Sequence, residues 1–182
     1  MYIRRILEHE FLRLSTFFPV LLISGARQVG KTTLLRHLSD SGRAYVTLDD
    51  PMAKMLAKSD PKTFFDRFRP PVLIDEVQYA PELFPYIKMS VDSDPTPGQF
   101  WLTGSQQFQM MKRVSESLAG RIGILTLHGL SQQEMKGREA VPFRPDAEFA
   151  LTEEPNKGAV ICSGKSYMPL DAKNAAIPSY LI

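Results

Sequence analysis

The stretch GARQVGKT, residues 25–32, decides how this chain folds. It matches the phosphate-binding loop pattern G-x-x-x-x-G-K-[ST] at every fixed position. The apolar run before it, residues 20–24, is typical of a buried strand, and the run after it, residues 33–38, is typical of a helix. Because strand, loop and helix form the context that the pattern requires, the segment predicts a site for a triphosphate.

The chemistry of the loop follows from its residue types. Gly25 and Gly30 let the backbone curl so that its N–H groups point inward at the phosphates. The helix that begins near Lys31 adds its positive N-terminal dipole. Lys31 is expected to reach the β- and γ-phosphates, and the hydroxyl of Thr32 is expected to hold Mg²⁺. The predicted nucleotide-binding residues are Gly25, Ala26, Arg27, Gln28, Val29, Gly30, Lys31, Thr32 and Thr33.

The composition is that of one globular domain, with room for a small appendage. The chain has 182 residues, of which 43% are hydrophobic and 23% charged, and its net charge is +2. This weak positive balance does not indicate a nucleic-acid surface, because the arginines are scattered and are expected to be solvated. These arginines are Arg4, Arg5, Arg36, Arg43, Arg67 and Arg69.

The single cysteine and the apolar runs bear on the cellular compartment. Cys162 excludes an intramolecular disulfide and a cysteine metal cluster, and we expect it to be a small buried side chain. No apolar run approaches the ~18 residues of a membrane span. Charged residues run through the first dozen positions, where a signal peptide would have its apolar core. We therefore predict a cytoplasmic protein without a membrane segment.

Short apolar runs that end in small or polar residues recur along the chain, as buried parallel strands do at their carboxyl ends. Helical patterns separate these runs, so the sequence predicts an α/β fold with a parallel sheet and helices on both faces. An amphipathic helix over 3–14 is expected to pack on this domain through an apolar side made of Ile3, Ile6, Leu7, Phe11 and Leu14. The further strands are predicted at 45–48, 71–74, 100–103 and 122–127, and the further helices at 51–58, 61–67, 81–91, 106–118 and 131–136.

The character of the sequence changes near residue 138, which we take as the boundary between segments 1–137 and 138–182. Five prolines interrupt any long element in the second segment. Strand patterns are predicted there at 158–162 and 166–170, with a third at 177–182. The segment is too short for a core of its own, so we expect it to pack on the first domain or to stay loose.

The run that ends in Asp75 and Glu76 supplies the second half of a nucleotide site. An apolar strand with an acidic residue at its end is what a phosphate-loop enzyme uses to hold Mg²⁺, and Asp75 takes that role. Glu76, one residue further, is expected to polarise the attacking water. The alternative is a pair of exposed carboxylates at a strand end. The phosphate loop about 40 residues upstream favours the first interpretation.

The same pair of carboxylates separates classes of nucleotide enzyme. A small-molecule kinase must keep water away from the phosphate, so Glu76 argues against that class. A Ras-like GTPase would have Asp-x-x-Gly here, whereas the chain reads Asp-Glu-Val-Gln at 75–78. The guanine-selecting Asn-Lys-x-Asp is also absent from the sequence. Exclusion therefore favours an adenine nucleotide.

Two further residues are candidates for contact with the γ-phosphate. Ser105, or Thr103 in the same strand, could bind the γ-phosphate or the water, as a sensor 1 residue does; ordinary turn chemistry is the alternative. Arg121 could reach a γ-phosphate in its own chain or in a neighbour's, as an arginine finger does, and a surface salt bridge is the alternative. Asp49 and Asp50 border the site or, more simply, supply a helix N-cap before a proline.

Five blocks of this sequence together resemble a family of prokaryotic AAA-like ATPases, in the division that carries a catalytic glutamate. The blocks are GARQVGKTTLL, YVTLDD, VLIDEVQYAPELF, FWLTGSQQF and SLAGRIGILTLHGLS, and the resemblance covers about residues 1–136. It implies a P-loop NTPase three-layer sandwich whose parallel sheet has about five strands in the order 5-1-4-3-2, and it implies binding of ATP with Mg²⁺. The residues carried over are Lys31 and Thr32 in the phosphate loop, Asp75 and Glu76 on the metal and water strand, Ser105 in the sensor block, and Arg121.

The chain departs from this family in its second segment. Members normally continue through a linker into a C-terminal domain with a nuclease-like look, whereas here GAVICSGKSYMPLDAKNAAIPSYLI is similar to the last part of that domain. We therefore expect an internal deletion with its junction near residues 138–150. The leading hypothesis is a Mg²⁺-dependent ATP hydrolase that acts as a conformational switch, with a homo-oligomer formed if Arg121 acts between subunits. The alternative is a nucleotide-binding interaction module, or a remnant, without significant turnover; the sequence names no protein partner.

Overall fold

The computed structural model describes residues 2–105 and 117–135 together with their side chains, and beyond these the backbone of three strands. The chain divides into two compact units, Met1–Arg138 and Glu139–Ile182. Among the helices of the described residues, none is long and apolar enough to cross a lipid bilayer.

The first unit is built on one parallel sheet of five strands. Their order across the sheet is β2-β3-β4-β1-β5, and every neighbouring pair is parallel. Read from the other edge, this is the order 5-1-4-3-2, so the predicted α/β P-loop NTPase sheet is confirmed. The strands are β1 Val20–Gly25, β2 Ala44–Thr47, β3 Val72–Asp75, β4 Phe100–Ser105 and β5 Ile122–Thr126.

Helices cover both faces of the sheet, because alternate residues of each strand point to opposite sides. In β1, Val20 and Leu22 belong to one buried cluster, which also contains residues of α3, α4 and α5. Leu21 and Ile23 belong to a second cluster, which α1 and α2 cover. The three layers predicted from the sequence are thus present. The helices are α1 Leu7–Ser15, α2 Lys31–Leu38, α3 Pro51–Ser59, α4 Pro61–Arg67, α5 Leu83–Ser93 and a short helix Gln132–Met135.

The caps of α3 and α4 explain why both helices begin where the sequence predicts. Asp50 accepts a hydrogen bond from the N–H of Met52 at 2.9 Å, and Asp60 accepts one from the N–H of Thr63 at 3.0 Å. A proline follows each cap as the first helical residue, where its missing N–H costs nothing. Asp50 is therefore the helix cap that we expected. The helix predicted at 106–118 falls largely outside the described residues.

The N-terminal segment differs from its predicted helix. The helix begins at Leu7 rather than at residue 3, and Ile3 and Ile6 are exposed instead of packing on the domain. Phe11 is fully buried, and Leu7 and Leu14 pack against the same cluster, as predicted. Arg5 and Glu8 are buried as well, although Arg5 was expected to be solvated. Hydrogen bonds to both side chains outweigh the apolar periodicity here. Arg43 is also drawn in, with its guanidinium 3.8 Å above the ring of Trp101.

The second unit contains a sheet of three strands in the order β6-β8-β7. The strands are β6 Gly158–Cys162, β7 Met168–Pro169 and β8 Asn174–Pro178. β6 pairs in parallel with β8, and β7 pairs antiparallel with it. The third strand starts earlier than the predicted 177–182. Its first residues are weak strand formers by themselves, but Asn174 pairs with β6, and Ala175 and Ala176 pair with both β6 and β7.

Replacing Gly25 with alanine is expected to lower the free energy of unfolding by about 2 kcal/mol. Its φ is 154°, and a Cβ atom at this position would lie 2.3 Å from the backbone oxygen of Leu127. Gly42→Ala is a matched control, because its Cβ would meet only a side-chain oxygen of Asp40 at 3.7 Å. Urea unfolding of the nucleotide-free protein, followed by the fluorescence of Trp101, measures both. Equal losses in the two variants would contradict the steric argument.

Candidate functional site

The candidate site lies where the carboxyl ends of four parallel strands meet. The strand pairing places Gly25 opposite Ser105, and Thr47 opposite Asp75. After β1 the chain crosses the sheet toward β2, at one side, whereas after β4 it crosses toward β5, at the other side. The direction of the connections therefore reverses between β1 and β4. Ligands of open α/β sheets bind in the crevice at such a reversal. The sheet therefore brings the phosphate-loop residues together with Asp75, Glu76 and Ser105 at the carboxyl ends of its strands.

Three residues of the loop from Gly25 to Thr32 adopt a positive φ: Gly25, Gln28 and Gly30. Gly30 precedes α2 with a φ of 93°, and Gln28 adopts a φ of 63°, which is uncommon for a residue with a side chain. No side chain caps the N-terminus of α2. The first N–H groups of an uncapped helix, together with its dipole, favour an anion. Ala26, Arg27, Gln28 and Thr33 are exposed at this edge.

Lys31 is buried inside the loop. Its Nζ donates hydrogen bonds to the backbone oxygens of Ala26 at 2.8 Å and Gly25 at 3.3 Å. Both acceptors are neutral, so these contacts do not neutralise the charge of the ammonium group. Nζ also has three donors, and the two carbonyls use two of them. The site thus holds a positive charge with a donor available for an anion.

Asp75 is buried and surrounded by hydroxyl groups. Its Oδ1 accepts hydrogen bonds from Thr32 Oγ1 at 2.6 Å and from Thr103 Oγ1 at 2.5 Å. Its Oδ2 accepts a longer bond, of 3.4 Å, from Thr47 Oγ1. The predicted pair of Thr32 and Asp75 is therefore brought together. The two other threonines lie at the ends of the strands that flank β3.

These oxygens fit a small hard cation. Mg²⁺ binds through a few protein oxygens and completes its octahedron with water and substrate phosphates. Among the described residues, no cluster of three or more histidine, cysteine or acidic side chains forms a ligand set by itself. A hydroxyl and a carboxylate 2.6 Å apart, at the mouth of an anion-binding loop, match the donor set that Mg²⁺ uses with a nucleotide.

Glu76 follows β3 in a left-handed conformation, with φ 58° and ψ 46°. Such a conformation is costly for a residue with a side chain, and it persists only where the surroundings hold it. Here the N–H of Glu76 donates to Thr103 Oγ1 at 3.0 Å, and the carboxylate accepts a hydrogen bond from Gln78 Nε2. These contacts therefore hold Glu76, which directly follows Asp75, in the left-handed conformation with its carboxylate against Gln78.

Gln78 connects Glu76 to the end of β4. Its Oε1 accepts a hydrogen bond from the N–H of Ser105 at 3.3 Å while its Nε2 binds the carboxylate of Glu76. The hydroxyl of Ser105 is buried and has no hydrogen-bond partner among the residues that the structure describes. Ser105 thus offers a polar atom beside the phosphate loop. Thr103, the other sensor candidate, is already bound to Asp75 and Glu76.

Arg121 lies at the amino ends of the strands, whereas the phosphate loop lies at their carboxyl ends. It precedes β5, and its backbone oxygen accepts a hydrogen bond at 3.3 Å from the N–H of Val20, where β1 begins. The length of β1 separates the amino and carboxyl ends of the strands by about 17 Å. The side chain of Arg121 pairs with Asp92. The structure therefore does not bring Arg121 to the phosphate loop of its own chain, and a role at a neighbour's nucleotide stays a prediction.

Sequence reasoning missed three residues of this site. Thr47 was not considered, although a hydroxyl residue at the end of a strand next to β3 was a usable signal. Gln78 and Arg5 had no such signal, because the first acts through a turn and the second through contacts with residues far along the chain. Arg5 donates to the backbone oxygen of Val29 in the phosphate loop at 2.9 Å.

Comparison with known proteins agrees with this geometry. A family model described as an AAA domain matches residues 18–136. Two uncharacterized proteins, one of Mycobacterium bovis and one of Mycobacterium tuberculosis, are each 33% identical to the chain over 117 residues, which is 64% of this chain. The match covers 26% of each relative, so the chain spans about a quarter of their length.

Among solved structures, the crystal structure of a DNA replication initiation factor is similar, with a TM-score of 0.43 and 16% sequence identity. The similarity covers 68% of this chain and 44% of that one. The match to the AAA domain extends over more than half of the chain and includes the phosphate loop, Asp75, Glu76 and Ser105. The protein therefore belongs to the AAA domain family.

Proposed function

We propose that this protein binds ATP with Mg²⁺ and hydrolyses it, and that it uses the cycle as a conformational switch. The observation that carries the proposal is the contact between Thr32 and Asp75, 2.6 Å apart beside the buried ammonium group of Lys31. A phosphate loop, a cation-binding hydroxyl and an acidic strand end are the parts that ATPases and GTPases share. The absence of Asn-Lys-x-Asp from the sequence favours adenine over guanine.

Each residue has a separate task in this proposal. The loop N–H groups and Lys31 bind the phosphates, while Thr32 and Asp75 hold Mg²⁺. When bound, Mg²⁺ supplies positive charge that offsets the charge of the phosphate oxygens. Glu76 accepts a proton from water as the water oxygen bonds to the γ-phosphorus and the bond to the leaving ADP oxygen breaks. Ser105 donates its hydroxyl to the γ-phosphate or the water.

The second candidate function is a nucleotide-binding interaction module without significant turnover. One observation favours it: the carboxylate of Glu76 is engaged by Gln78, which is also bound to Ser105. Gln78 occupies one oxygen of the carboxylate and restrains its orientation, so only the other oxygen is left to meet a water. If this contact keeps the carboxylate away from the water when nucleotide is bound, binding would proceed without hydrolysis.

A titration with ATP, GTP and ADP in the presence of Mg²⁺ tests the proposal, with phosphate release measured in the same samples. We expect ATP and ADP to bind, GTP to bind more weakly, and phosphate to accumulate with ATP at a rate that rises with the amount of protein. Binding without phosphate release would support the interaction module. Failure to bind any of the three nucleotides would reject both functions.

Arg121→Ala is expected to abolish any dependence of turnover on protein concentration. If Arg121 enters a neighbour's site, the parent's rate per molecule rises with concentration by tenfold or more, as arginine fingers allow. ATP affinity should stay unchanged in the variant, since Arg121 lies far from its own phosphate loop. Steady-state phosphate release over a wide range of protein concentrations measures this effect.

Asp92→Ala is the matched control, because it breaks the same ion pair and leaves the guanidinium of Arg121 in place. It should retain the concentration dependence of the parent. If both variants lose the dependence equally, the ion pair matters to the fold and Arg121 has no role at a neighbouring site. A parent rate per molecule that does not change with concentration would also reject that role.

A further inference from the structure

A buried pair of charges lies behind the phosphate loop and takes no part in the proposed chemistry. Arg5 Nε donates to Glu134 Oε1 at 3.0 Å, and the side chains of both residues are only 6% exposed. The two residues are 129 positions apart in the sequence. Burial of two charges costs free energy that their attraction often fails to recover, so such a pair is a poor source of stability. The other contacts of this pair indicate what it does.

The guanidinium of Arg5 binds three backbone oxygens as well as Glu134. Nη1 donates to Val29 at 2.9 Å, and Nη2 donates to His128 at 2.7 Å and to Gly129 at 3.4 Å. The first of these oxygens belongs to the phosphate loop, and the other two follow β5. Arginine has five N–H donors in a fixed planar fork, so it can serve these four acceptors at once, whereas a lysine ammonium has three donors. Arg5 therefore ties the loop to the segment after β5.

Glu134 holds the guanidinium in place. Its Oε1 also accepts from the N–H of Ile6 at 2.9 Å, and its Oε2 accepts from the N–H of Ser131 at 2.7 Å. Burial raises the pKa of the Glu134 carboxyl, but hydrogen bonds from Ser131, Ile6 and Arg5 outweigh burial and lower the pKa below its ordinary value. Glu134 is therefore ionised at neutral pH and can hold Arg5 at a fixed position.

The contact with Val29 has a consequence inside the loop. A trans peptide is planar, and its C=O and N–H groups point in opposite directions. When Arg5 holds the oxygen of Val29, it turns the N–H of Gly30 to the other side of the chain. Gly30 precedes Lys31 and has a positive φ, so its peptide has orientations open to it that other residues lack. The orientation of one loop N–H group therefore depends on Arg5.

We propose that Arg5 is a positioning residue for phosphate binding: it holds the peptide between Val29 and Gly30 in the orientation that aims the N–H of Gly30 at a phosphate. The inference rests on the proposed nucleotide site. It assigns the preorganisation of the loop to a side chain outside the loop. A misplacement of about 1 Å in a binding group can cost a hundredfold in function, so a large effect is expected from a residue that touches no substrate.

Three variants test the proposal: Arg5→Ala, Arg5→Lys and the control Arg13→Ala. Arg13 also forms an arginine–glutamate pair, with Glu10, but on the exposed surface. Lysine at position 5 keeps the charge beside Glu134 but cannot span the same acceptors. The first measurement is the Kd for ADP in the presence of Mg²⁺, which involves no turnover. The second is amide hydrogen exchange in the nucleotide-free protein at Leu34, whose N–H donates to Gly30 at 2.9 Å.

We expect both Arg5 variants to bind ADP at least tenfold more weakly than the parent. They should also exchange the Leu34 amide at least tenfold faster, while the amides of β1 and β4 keep their protection. Arg13→Ala should match the parent in both measurements. If Arg5→Lys restores the parent's values, only the charge matters and the proposal is wrong. It is equally wrong if Arg5→Ala neither weakens ADP binding nor speeds the exchange of the Leu34 amide while β1 stays intact.

The two measurements also separate this inference from the proposed function. If the parent binds no nucleotide, the proposed function fails, and the Leu34 exchange alone decides whether Arg5 orders the loop. If the Arg5→Ala protein does not fold, the same two measurements on Arg5→Lys decide whether Arg5 orders the loop. Faster exchange at Leu34 supports the proposal in either case, and unchanged exchange overturns it.

Discussion

Lys31→Ala is expected to weaken ATP binding by about a hundredfold or more, the largest loss of affinity from any single change at the site. The ammonium group of Lys31 is buried against two neutral carbonyls of the loop, so it can meet the phosphates with its charge intact. A hydrogen bond between charged partners contributes about 1.5–3 kcal/mol, and tenfold in affinity corresponds to about 1.4 kcal/mol. Calorimetric titration with ATP and Mg²⁺ measures the change.

The control for this prediction is Lys58→Ala, which removes an exposed lysine of α3. It should bind ATP as the parent does. Far-ultraviolet circular dichroism of both variants checks that the sheet and helices remain. A folded Lys31→Ala protein that keeps the parent's affinity would show that the loop does not bind phosphate through this side chain.

Glu76→Gln is expected to keep ATP binding and to lower the rate of hydrolysis by at least about a hundredfold, in line with the loss of a general base. The amide has the shape of the carboxylate but cannot take a proton from water. It can still pair with Gln78 across the turn, so the left-handed backbone of residue 76 should be retained. Single-turnover phosphate release at saturating ATP isolates the chemical step from binding.

Glu82→Gln provides the same chemical change at an exposed position before α5. Its turnover should equal that of the parent. Should Glu76→Gln hydrolyse ATP as fast as the parent does, another group must activate the water, and the assignment of the base is wrong. If binding also fails in Glu76→Gln, the residue supports the site's structure instead of its chemistry.

The fold was predictable because its signals are local. The loop pattern, each short apolar run and the polar residues at its end span only a few consecutive residues. The strand order in the sheet is the one that the family resemblance implies. The pairing of Thr32 with Asp75 followed from the meeting of the loop with the end of β3. These features depend on sequence neighbours and on the general geometry of parallel strands.

What the sequence could not show depends on contacts between distant residues. The apolar pattern of the N-terminal segment suggested that Ile3 and Ile6 face the domain, but Arg5 and Glu8 turn inward instead. A charged side chain is buried only where hydrogen-bond partners surround it, and the partners of Arg5 lie in distant segments of the chain. The position of Arg121 was open to prediction, because a residue just before a strand of a parallel sheet lies at the amino end of that strand, away from the carboxyl ends where the phosphate loop lies.

The contact between Arg5 and Val29 determines how much of this protein would have to be transplanted to carry the phosphate loop into another protein. The eight residues GARQVGKT are contiguous, but one of their peptide oxygens, that of Val29, is bound by the guanidinium of Arg5, which lies 24 positions earlier. The same guanidinium also binds backbone that follows β5. Grafting the eight residues onto another sheet would transfer the glycines, the lysine and the threonine. The peptide between Val29 and Gly30 would then lack the group that orients it, so the portable unit of this site is larger than its signature in the sequence.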